Sequence, residues 1–340
     1  MTWGTGDDRR ADYAAASPCE MCNAPQHILE PMLLDAARSF GADIRFDHEV
    51  VAVSQTAGEA TARVRRRLDG TEFEVQSRYI VGCDGARSLV GEQGGFEFDG
   101  RAGLGNAITV WIEADLSRYT KHRSGALFFV RNPGNKDVLS VWTCVEPWTE
   151  WSTIFFHEGL DVTDPSEESV MRRVRAAIGD PSVPIKIKKI SEWQVNHVVA
   201  TRYRQGRLFL SGDAAHRHPP ANGLGSNTSI QDSYNLAWKL ALVLSAQAHE
   251  SVLDSYDAER QPVGRRVVDR ANQSFAEMGP CILALGFQPG QTEAEALAKL
   301  DHLHGPDGEE QRRALLAALD LLNGQFNAHG VEMGQRYASE

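Results

Sequence analysis

Residues 206–240 read GRLFLSGDAAHRHPPANGLGSNTSIQDSYNLAWKL and combine a short apolar run, an acidic turn, a proline-glycine loop and a helical pattern. The apolar run at 208–210 predicts a buried strand that ends at Ser211-Gly212-Asp213. Glycine allows a close backbone approach to a bound molecule, and the Asp213 carboxylate offers two acceptors that suit the hydroxyl groups of a polyol. We interpret the segment as a ligand-binding strand, loop and helix.

The loop after this turn places glycines just before a helix. Two prolines at 219–220 prevent regular structure, and Gly223 and Gly225 leave backbone N–H groups uncovered. Ser226 or Asn227 is the expected N-cap. Apolar residues then recur at helical spacing: Ile230, Tyr234, Ala237, Trp238, Ala241 and Leu244. The positive end of such a helix favours partial negative charge on a ligand, whereas an ordinary capped connection is the alternative interpretation.

The segment as a whole resembles the GD motif of the FAD-dependent aromatic hydroxylases, which are single-component flavoprotein monooxygenases that use NAD(P)H. The resemblance implies that Asp213 binds the ribityl chain of FAD and that the helix N-terminus faces the isoalloxazine ring. It assigns these residues of the segment to the cofactor: Gly212, Asp213, Pro220, Gly223, Gly225, Ser226 and Asn227.

A second segment, YIVGCDGARSLV at residues 79–90, resembles the DG motif of the same family. The resemblance implies that Asp84 and Gly85 close the turn after a strand, help to bind FAD and also serve the nicotinamide donor. Taken alone, Cys-Asp-Gly is an ordinary turn. Because both motifs occur in the order found in the family, we favour the family interpretation.

A third segment, residues 25–46, predicts a helix that ends at Gly41 and is followed by a strand. Its apolar residues are expected to face inward: Ile28, Met32, Leu33, Ala36, Ala37 and Phe40. In the family the residue matching Gln26 lies near the ribityl chain and pyrophosphate, while a simple helix-start role is the alternative. The strand that begins at Glu49 and includes Val51 is expected to pass the adenine.

Composition and charge limit the classes of partner. The 340 residues are 42% hydrophobic and 24% charged, with a formal net charge of −11, which is typical of a globular protein that binds small molecules. The net charge and the absence of a basic stripe argue against nucleic acid and anionic membranes. No apolar run reaches membrane-spanning length and the N-terminus is too polar for a secretory signal, so we predict a cytoplasmic protein. A homo-oligomer is compatible with this sequence.

Cysteine and histidine pairs do not form a convincing metal site. Cys19 and Cys22 have the spacing of half a zinc site, but no second pair completes it. The histidine pairs at 216/218 and 302/304 likewise lack a third ligand at suitable spacing. We therefore predict no metal, and five reduced thiols.

The order of elements predicts an α/β protein with a Rossmann-like FAD-binding domain that lacks its N-terminal βαβ unit. A mixed β-sheet substrate domain is inserted in this domain, and a helical C-terminal region follows it. The predicted boundaries are 1–100 and 199–280 for the FAD-binding domain, 101–198 for the sheet domain and 281–340 for the helical segment. Predicted strands at 49–53, 62–67, 73–75 and 79–82 form a strand ladder that ends in the DG turn. Further predicted strands lie at 126–131, 137–145 and 185–197, with a turn at 132–135. Predicted helices lie at 167–178, 252–275 with a kink or break at Pro262, 291–300 and 308–323.

Aromatic residues are concentrated in the predicted sheet domain: Trp111, Phe128, Phe129, Trp142, Trp148, Trp151, Phe155 and Phe156. They could line a pocket for a planar apolar substrate, but we expect most of them to pack in the core of the sheet and only one or two to contact a ligand.

The family normally opens with a strand, a G-x-G-x-x-G turn and a helix that holds the FAD pyrophosphate. This sequence has no such turn, because Gly4-Thr-Gly6 is followed by Arg9. Larger members also continue into a thioredoxin-like domain. We therefore expect this chain to be a fragment that binds FAD poorly by itself.

The resemblance implies that NAD(P)H reduces FAD, that O₂ adds to give a C4a-hydroperoxyflavin, and that an activated phenol attacks its distal oxygen. The amino-acid sequences of residues 2–46 and of Ser226-Asn227-Thr228-Ser229 are similar to those of the 2,4-dichlorophenol 6-monooxygenase group of phenol hydroxylases. The expected activity is hydroxylation of a chlorophenol-like phenol, with no catalytic residue assigned. Another flavin oxidoreductase on the same scaffold and a non-catalytic remnant are the alternatives.

Overall fold

The computed structural model describes residues 10–19, 22–123, 125–132, 139–157, 165–288 and 291–337. The chain divides into two compact units. The large-sheet unit comprises Met1–Pro25, Ala102–Asn196 and Ser274–Asn327, and the two-sheet unit comprises Gln26–Arg101, His197–Gln273 and Ala328–Glu340. Each unit is therefore assembled from separate stretches of the chain.

The predicted α/β class is confirmed by the elements of the described residues. The helices are α1 (Arg10–Ala16), α2 (Gln26–Ser39), α3 (Leu89–Gln93), α4 (Ser117–Thr120), α5 (Glu167–Ile178), α6 (Gly225–Leu244), α7 (Asp254–Ala276), α8 (Met278–Ala284), α9 (Glu293–His304), α10 (Glu309–Leu322) and α11 (His329–Glu332). The strands are β1 (His48–Gln55), β2 (Ala60–Arg66), β3 (Glu72–Ser77), β4 (Ile80–Gly82), β5 (Phe98–Glu113), β6 (Leu127–Val130), β7 (Ser140–Glu146), β8 (Glu150–His157), β9 (Lys186–Ala200), β10 (Arg204–Gln205), β11 (Leu208–Leu210) and β12 (His216–Arg217).

The two-sheet unit takes its name from two three-stranded sheets. Strands β1, β2 and β3 form an antiparallel meander, and the other sheet has the order β10-β11-β4 with β11 parallel to β4. The prediction of one continuous ladder from residue 49 to the DG turn is therefore wrong at its last strand. Ile80 pairs with Leu208, because the short apolar β4 is completed by the equally apolar β11 rather than by the meander.

The core of the two-sheet unit surrounds β11, whose three residues are all buried. Phe209 packs edge-on against Tyr79 and Tyr256. Tyr256 also donates its hydroxyl to the carbonyl oxygen of Leu210 at 2.8 Å, so this buried phenol is satisfied. The predicted buried strand at 208–210 is confirmed.

The large-sheet unit is built on the strand order β9-β5-β8-β7-β6. Strands β6 and β7 are antiparallel, with Leu127 opposite Thr143, as predicted for the two strands that flank the turn at 132–135. Residues 133–135 of that turn lie outside the described residues. Helix α5 covers one face of the sheet and has the predicted bounds, because Ser166 caps its start and Gly179, with φ +72°, ends it.

Helix α7 continues through Pro262, so the proline does not break the helix. Pro262 is exposed, and the lost backbone hydrogen bond therefore lies on the solvated side, where water can replace it. Helices α9 and α10 confirm the helices predicted near 291–300 and 308–323. All five cysteines are free thiols, and no helix among the described residues is long and apolar enough to cross a membrane.

Candidate functional site

Two parallel strands bring the GD and DG turns together in the two-sheet unit. Gly82 pairs with Leu210, and the backbone N–H of Ser211 donates to the carbonyl oxygen of Gly82 at 3.0 Å. The turns that follow, at Gly85–Arg87 and Gly212–Ala214, are in contact. Because the carboxyl ends of parallel strands meet at one edge of a sheet, both motifs lie at the edge where α/β proteins bind ligands.

The GD turn requires glycine and presents a carboxylate to solvent. Gly212 has φ +63°, and a β-carbon there would lie 2.8 Å from Ser229 Oγ, so the turn approaches the start of α6 too closely for any side chain. The neighbouring Asp213 is exposed, and no hydrogen bond reaches its carboxylate from the described residues. The carboxylate can therefore accept hydrogen bonds from a ligand.

The loop that leads into α6 turns sharply at Asn222 and Gly223, with φ values of +65° and +63°. This places Leu224, and not Ser226 or Asn227, at the N-cap, where no side chain caps the helix. The predicted N-cap is therefore wrong, because the two left-handed residues bring the chain into helical geometry before those side chains are reached. Asn227 instead donates its Nδ2 to the carbonyl oxygen of Gly223 at 2.8 Å.

The first backbone N–H groups of α6 belong to Gly225, Ser226 and Asn227, and they precede Thr228, the first residue whose N–H donates within the helix. The first bond of the helix runs from Thr228 N to Leu224 O at 2.8 Å. Ser226 and Asn227 are exposed, as is Pro220 in the preceding loop. This end of the helix can thus donate hydrogen bonds to a partly negative ligand atom.

The DG turn uses its carboxylate locally. Asp84 Oδ1 accepts from Ser88 Oγ at 2.5 Å, and Oδ2 accepts from the Val90 backbone N–H at 3.1 Å. Gly85 has φ +75°, which glycine adopts without strain. Asp84 therefore fixes the start of α3, and its remaining lone pairs face solvent because the residue is exposed.

The remaining two predicted residues lie on other elements of the same unit. Gln26 is the first residue of α2, is exposed and donates its Nε2 to Glu30 Oε1, in keeping with a helix-start role. Val51 is half-buried in β1, at the register irregularity between Val50 and Ala52. Their assignment to FAD continues to rest on the resemblance.

A buried ionic network that the sequence did not reveal supports the GD turn. Asp232 is fully buried and accepts three hydrogen bonds, from Gly212 N at 3.2 Å, His216 Nε2 at 2.8 Å and Arg260 Nε at 2.7 Å. The side chains of His216, Asp232 and Arg260 are all inaccessible to solvent. One feature of the sequence could have indicated this network. At helical spacing, Asp232 lies on the side of α6 opposite to the apolar residues that recur from Ile230 to Leu244.

A second buried network joins α6 to α7. Lys239 Nζ donates to Asn235 Oδ1 and Glu259 Oε2, both at 2.8 Å, and Asn235 Nδ2 donates to Glu259 Oε2 at 2.6 Å. Burial lowers the pKa of Lys239, and the Glu259 carboxylate opposes that effect. Burial acts to raise the pKa of Glu259, but its hydrogen bonds with Asn235 and Lys239 outweigh burial and lower it.

Two helices expose the apolar residues that recur at helical spacing in their sequences. Helix α2 has no buried residue, so the expectation that its apolar residues face inward is wrong. Met32 and Phe40 are 65% and 92% exposed. In α6 the apolar residues Ile230, Tyr234, Trp238 and Leu244 are also exposed. Periodicity identifies the apolar face of a helix, but it does not identify what covers that face.

The aromatic residues of the large-sheet unit lie on both faces of its sheet. Trp142 and Trp151 are buried in the cluster that includes α5, and with Phe128 and Tyr119 they line a cavity of about 360 Å³. On the opposite face, Phe156 packs edge-on against Trp193 and Phe275. As expected, most of the aromatic residues pack in the core: Trp142, Trp151 and Phe155 are buried, and Phe128 and Trp148 pack against them.

Comparison with known proteins gives the family. The sequence pattern of a family described as an FAD binding domain matches residues 2–271. The 2,4-dichlorophenol 6-monooxygenase of Cupriavidus pinatubonensis is 45% identical, across 99% of this chain and 58% of that protein. The phenol 2-monooxygenase of Pseudomonas sp. strain EST1001 is 38% identical, across 99% of this chain and 55% of that protein. The chain thus spans less than two thirds of the length of these relatives.

The fold is also that of a solved flavoprotein. The crystal structure of the flavin-dependent monooxygenase PieE, in complex with FAD and substrate, has a TM-score of 0.95 and 44% sequence identity, and the match covers 99% of this chain and 59% of that one. Sequence and fold thus agree along nearly the whole chain. The chain belongs to the FAD binding domain family, as its two motifs predicted.

Proposed function

We propose that the two-sheet unit holds FAD along the edge formed by the GD and DG turns. The observation that carries the proposal is the contact between these turns beyond parallel strands β4 and β11. The Asp213 carboxylate would accept hydrogen bonds from the ribityl hydroxyl groups. The backbone N–H groups at 225–227 would donate to the N1–C2=O edge of the flavin, where reduction places negative charge.

The residues present fit such a ligand. Gly212 leaves no space for a β-carbon and Asp213 is exposed with no hydrogen bond from the described residues, so the turn offers acceptors to a polyol rather than to its own protein. The loop before α6 has no bulky side chain at Gly223, Gly225 or the exposed Pro220, so a flat ring can approach its backbone. In this proposal Asp84 and Gly85 complete the edge, while Gln26 and Val51 contact the ribityl-pyrophosphate and adenine portions.

The proposed activity of the whole protein is NAD(P)H-dependent hydroxylation of a phenol by O₂, with a chlorophenol-like substrate. FAD supplies the redox and oxygen chemistry when it is bound. The chain supplies the carboxylate and amides that orient the cofactor, and the aromatic surfaces of the large-sheet unit would bind a planar apolar ring. The relatives named as chlorophenol and phenol monooxygenases support this choice of substrate class.

Titration of purified protein with FAD tests the cofactor site. Asp213→Ala should weaken FAD binding about tenfold or more, since hydrogen bonds to a charged group are lost, and should leave thermal stability unchanged. The matched control is Asp99→Ala, which removes an exposed carboxylate of the same unit that pairs with Arg265. Equal FAD affinity in the Asp213 variant and the parent would exclude the proposed role.

Product analysis tests the activity. The full-length protein, supplied with FAD, NADH or NADPH and chlorinated phenols, should yield a hydroxylated product whose added oxygen derives from ¹⁸O₂. Oxidation of NAD(P)H with another product would instead indicate a different flavin oxidoreductase. Absence of both reactions would favour a non-catalytic role.

A further inference from the structure

We propose that Asp232 is a positioning residue that holds the turn of Gly212 and Asp213 in the conformation that presents the Asp213 carboxylate to FAD. The proposal rests on the proposed function, because it concerns the same site. It goes further by naming the side chain that fixes the backbone of the turn.

One carboxylate reaches both ends of the GD turn. Asp232 Oδ2 accepts from the Gly212 backbone N–H at 3.2 Å and from His216 Nε2 at 2.8 Å. Gly212 is in the left-handed conformation, with φ +63°, so its N–H direction is specific to this turn. Asp213 lies between the two anchored residues and is exposed. The exposed carboxylate is thus positioned by a buried one.

The Asp232 carboxylate is also held by Arg260. Arg260 Nε donates to Asp232 Oδ1 at 2.7 Å, and Arg260 Nη1 also donates to Gln335 Oε1 and to Tyr337 Oη, at 3.0 and 2.9 Å. Asp232 and Arg260 are inaccessible to solvent, so each ion stabilises the charge of the other where bulk water cannot. Rotation of the Asp232 carboxylate away from Gly212 would therefore also break its hydrogen bond with Arg260.

His216 is held at the other end of the turn. Its Nε2 lies 2.8 Å from Asp232 Oδ2, while its Nδ1 has no hydrogen-bond partner in the described structure. His216 also stacks on Tyr203, with 6.2 Å between ring centroids. Packing and one hydrogen bond therefore fix the end of the turn that follows Asp213.

The chain offers a matched comparison. Lys239 and Glu259 form another buried ion pair between the same helices, α6 and α7, at 2.8 Å. This pair has no hydrogen bond to the GD turn, because Glu259 bonds with Asn235 and Lys239. A role in helix packing would be shared by both pairs, whereas a role in positioning the turn would belong to Asp232 alone.

The experiment compares amide hydrogen exchange and FAD titration in three proteins. The first is the parent, the second Asp232→Leu/Arg260→Leu and the third the control Lys239→Leu/Glu259→Leu, so that neither double variant leaves a buried ion unpaired. We expect the Gly212 amide to exchange at least tenfold faster in the Asp232/Arg260 variant, and FAD to bind at least tenfold more weakly, with neither change in the Lys239/Glu259 control. Asp232→Asn is a second test, because its amide can keep only part of the three bonds.

Two results would overturn the proposal. One is unchanged exchange at Gly212 in both Asp232 variants, and the other is equally faster exchange in Lys239→Leu/Glu259→Leu, which would make the effect one of helix packing. If the parent protein binds no FAD, the proposed cofactor site fails, while the exchange comparison still decides whether Asp232 holds the turn.

Discussion

A β-carbon on Gly264 would lie 1.9 Å from the hydroxyl oxygen of Tyr203, so helix α7 passes this buried tyrosine at a distance that only glycine permits. Tyr203 is fully buried, and its hydroxyl has no hydrogen-bond partner among the described residues. We predict that Gly264→Ala lowers the free energy of unfolding by about 3 kcal/mol or more, because neither the helix nor the ring can move without disturbing the core. Urea denaturation measures the loss.

The control for this prediction is Gly58→Ala, since the nearest atom to a β-carbon at Gly58 is Thr56 Oγ1 at 4.0 Å. Adding Tyr203→Phe to Gly264→Ala should recover part of the loss, because the ring carbon that then remains nearest is at 3.1 Å. Equal stabilities of the single and double variants would show that the hydroxyl is not the obstacle.

The orientation of α6 makes two neighbouring residues respond very differently. Leu236 is 2% exposed and Tyr234 is 77% exposed. We expect Leu236→Ala to cost about 3 kcal/mol and Tyr234→Ala less than about 0.5 kcal/mol. Thermal or urea unfolding of the two variants checks this, and a large loss in Tyr234→Ala would mean that the apolar face of α6 is covered.

The Lys239–Glu259 pair should be costly to break from one side. Glu259→Gln removes the negative charge that faces the buried ammonium of Lys239, so we expect a loss of about 3 kcal/mol in the free energy of unfolding. Glu113→Gln is the control, because its pair with Lys186 is exposed and screened by solvent, so its removal should have little effect on stability. Similar losses in the two variants would contradict the prediction.

His218 should make stability depend on pH. Burial lowers its pKa below the ordinary 6.5, and the nearby His216 lowers it further, while the hydrogen bond to Pro219 O and the Asp213 carboxylate act in the opposite direction. The unfolded chain therefore binds the proton more tightly, so stability falls as the pH drops below about 6.5 and is fully regained above it.

Urea unfolding between pH 5 and pH 8 measures this dependence, with His218→Gln for comparison. The difference in unfolding free energy between parent and variant should shift in favour of the parent as the pH rises through the window below 6.5. A difference that stays constant with pH would show that His218 keeps its ordinary pKa in the folded protein.

Local signals in the sequence predicted local structure well. Helix α5 has the predicted bounds because Ser166 and Gly179 cap its two ends. The turn at Ser211-Gly212-Asp213 follows a strand in which every residue is apolar, and such a strand has few alternatives in a globular protein. In both cases the structure is determined by residues that lie close together in the sequence.

Interactions between residues that lie far apart in the sequence could not be predicted from local patterns. Asp232 and Arg260 look like surface charges until the structure pairs them, and the buried side of α6 carries such polar pairs beside Leu236, while Ile230, Tyr234, Trp238 and Leu244 face outward. Leu224 became the N-cap because Asn222 adopts a left-handed conformation that asparagine takes only occasionally. The sequence does not disclose which side chain finds a partner far along the chain.

The parallel pairing of β4 with β11 also has a consequence for synthesis. Ile80 leaves the ribosome long before Leu208, the residue that completes its sheet, and the whole central part of the chain emerges in between. Because such distant contacts must overcome a large loop-closure entropy, the two-sheet unit should fold late and slowly. Until then β4 remains an unpaired edge on the nascent chain, which makes it a natural binding site for chaperones.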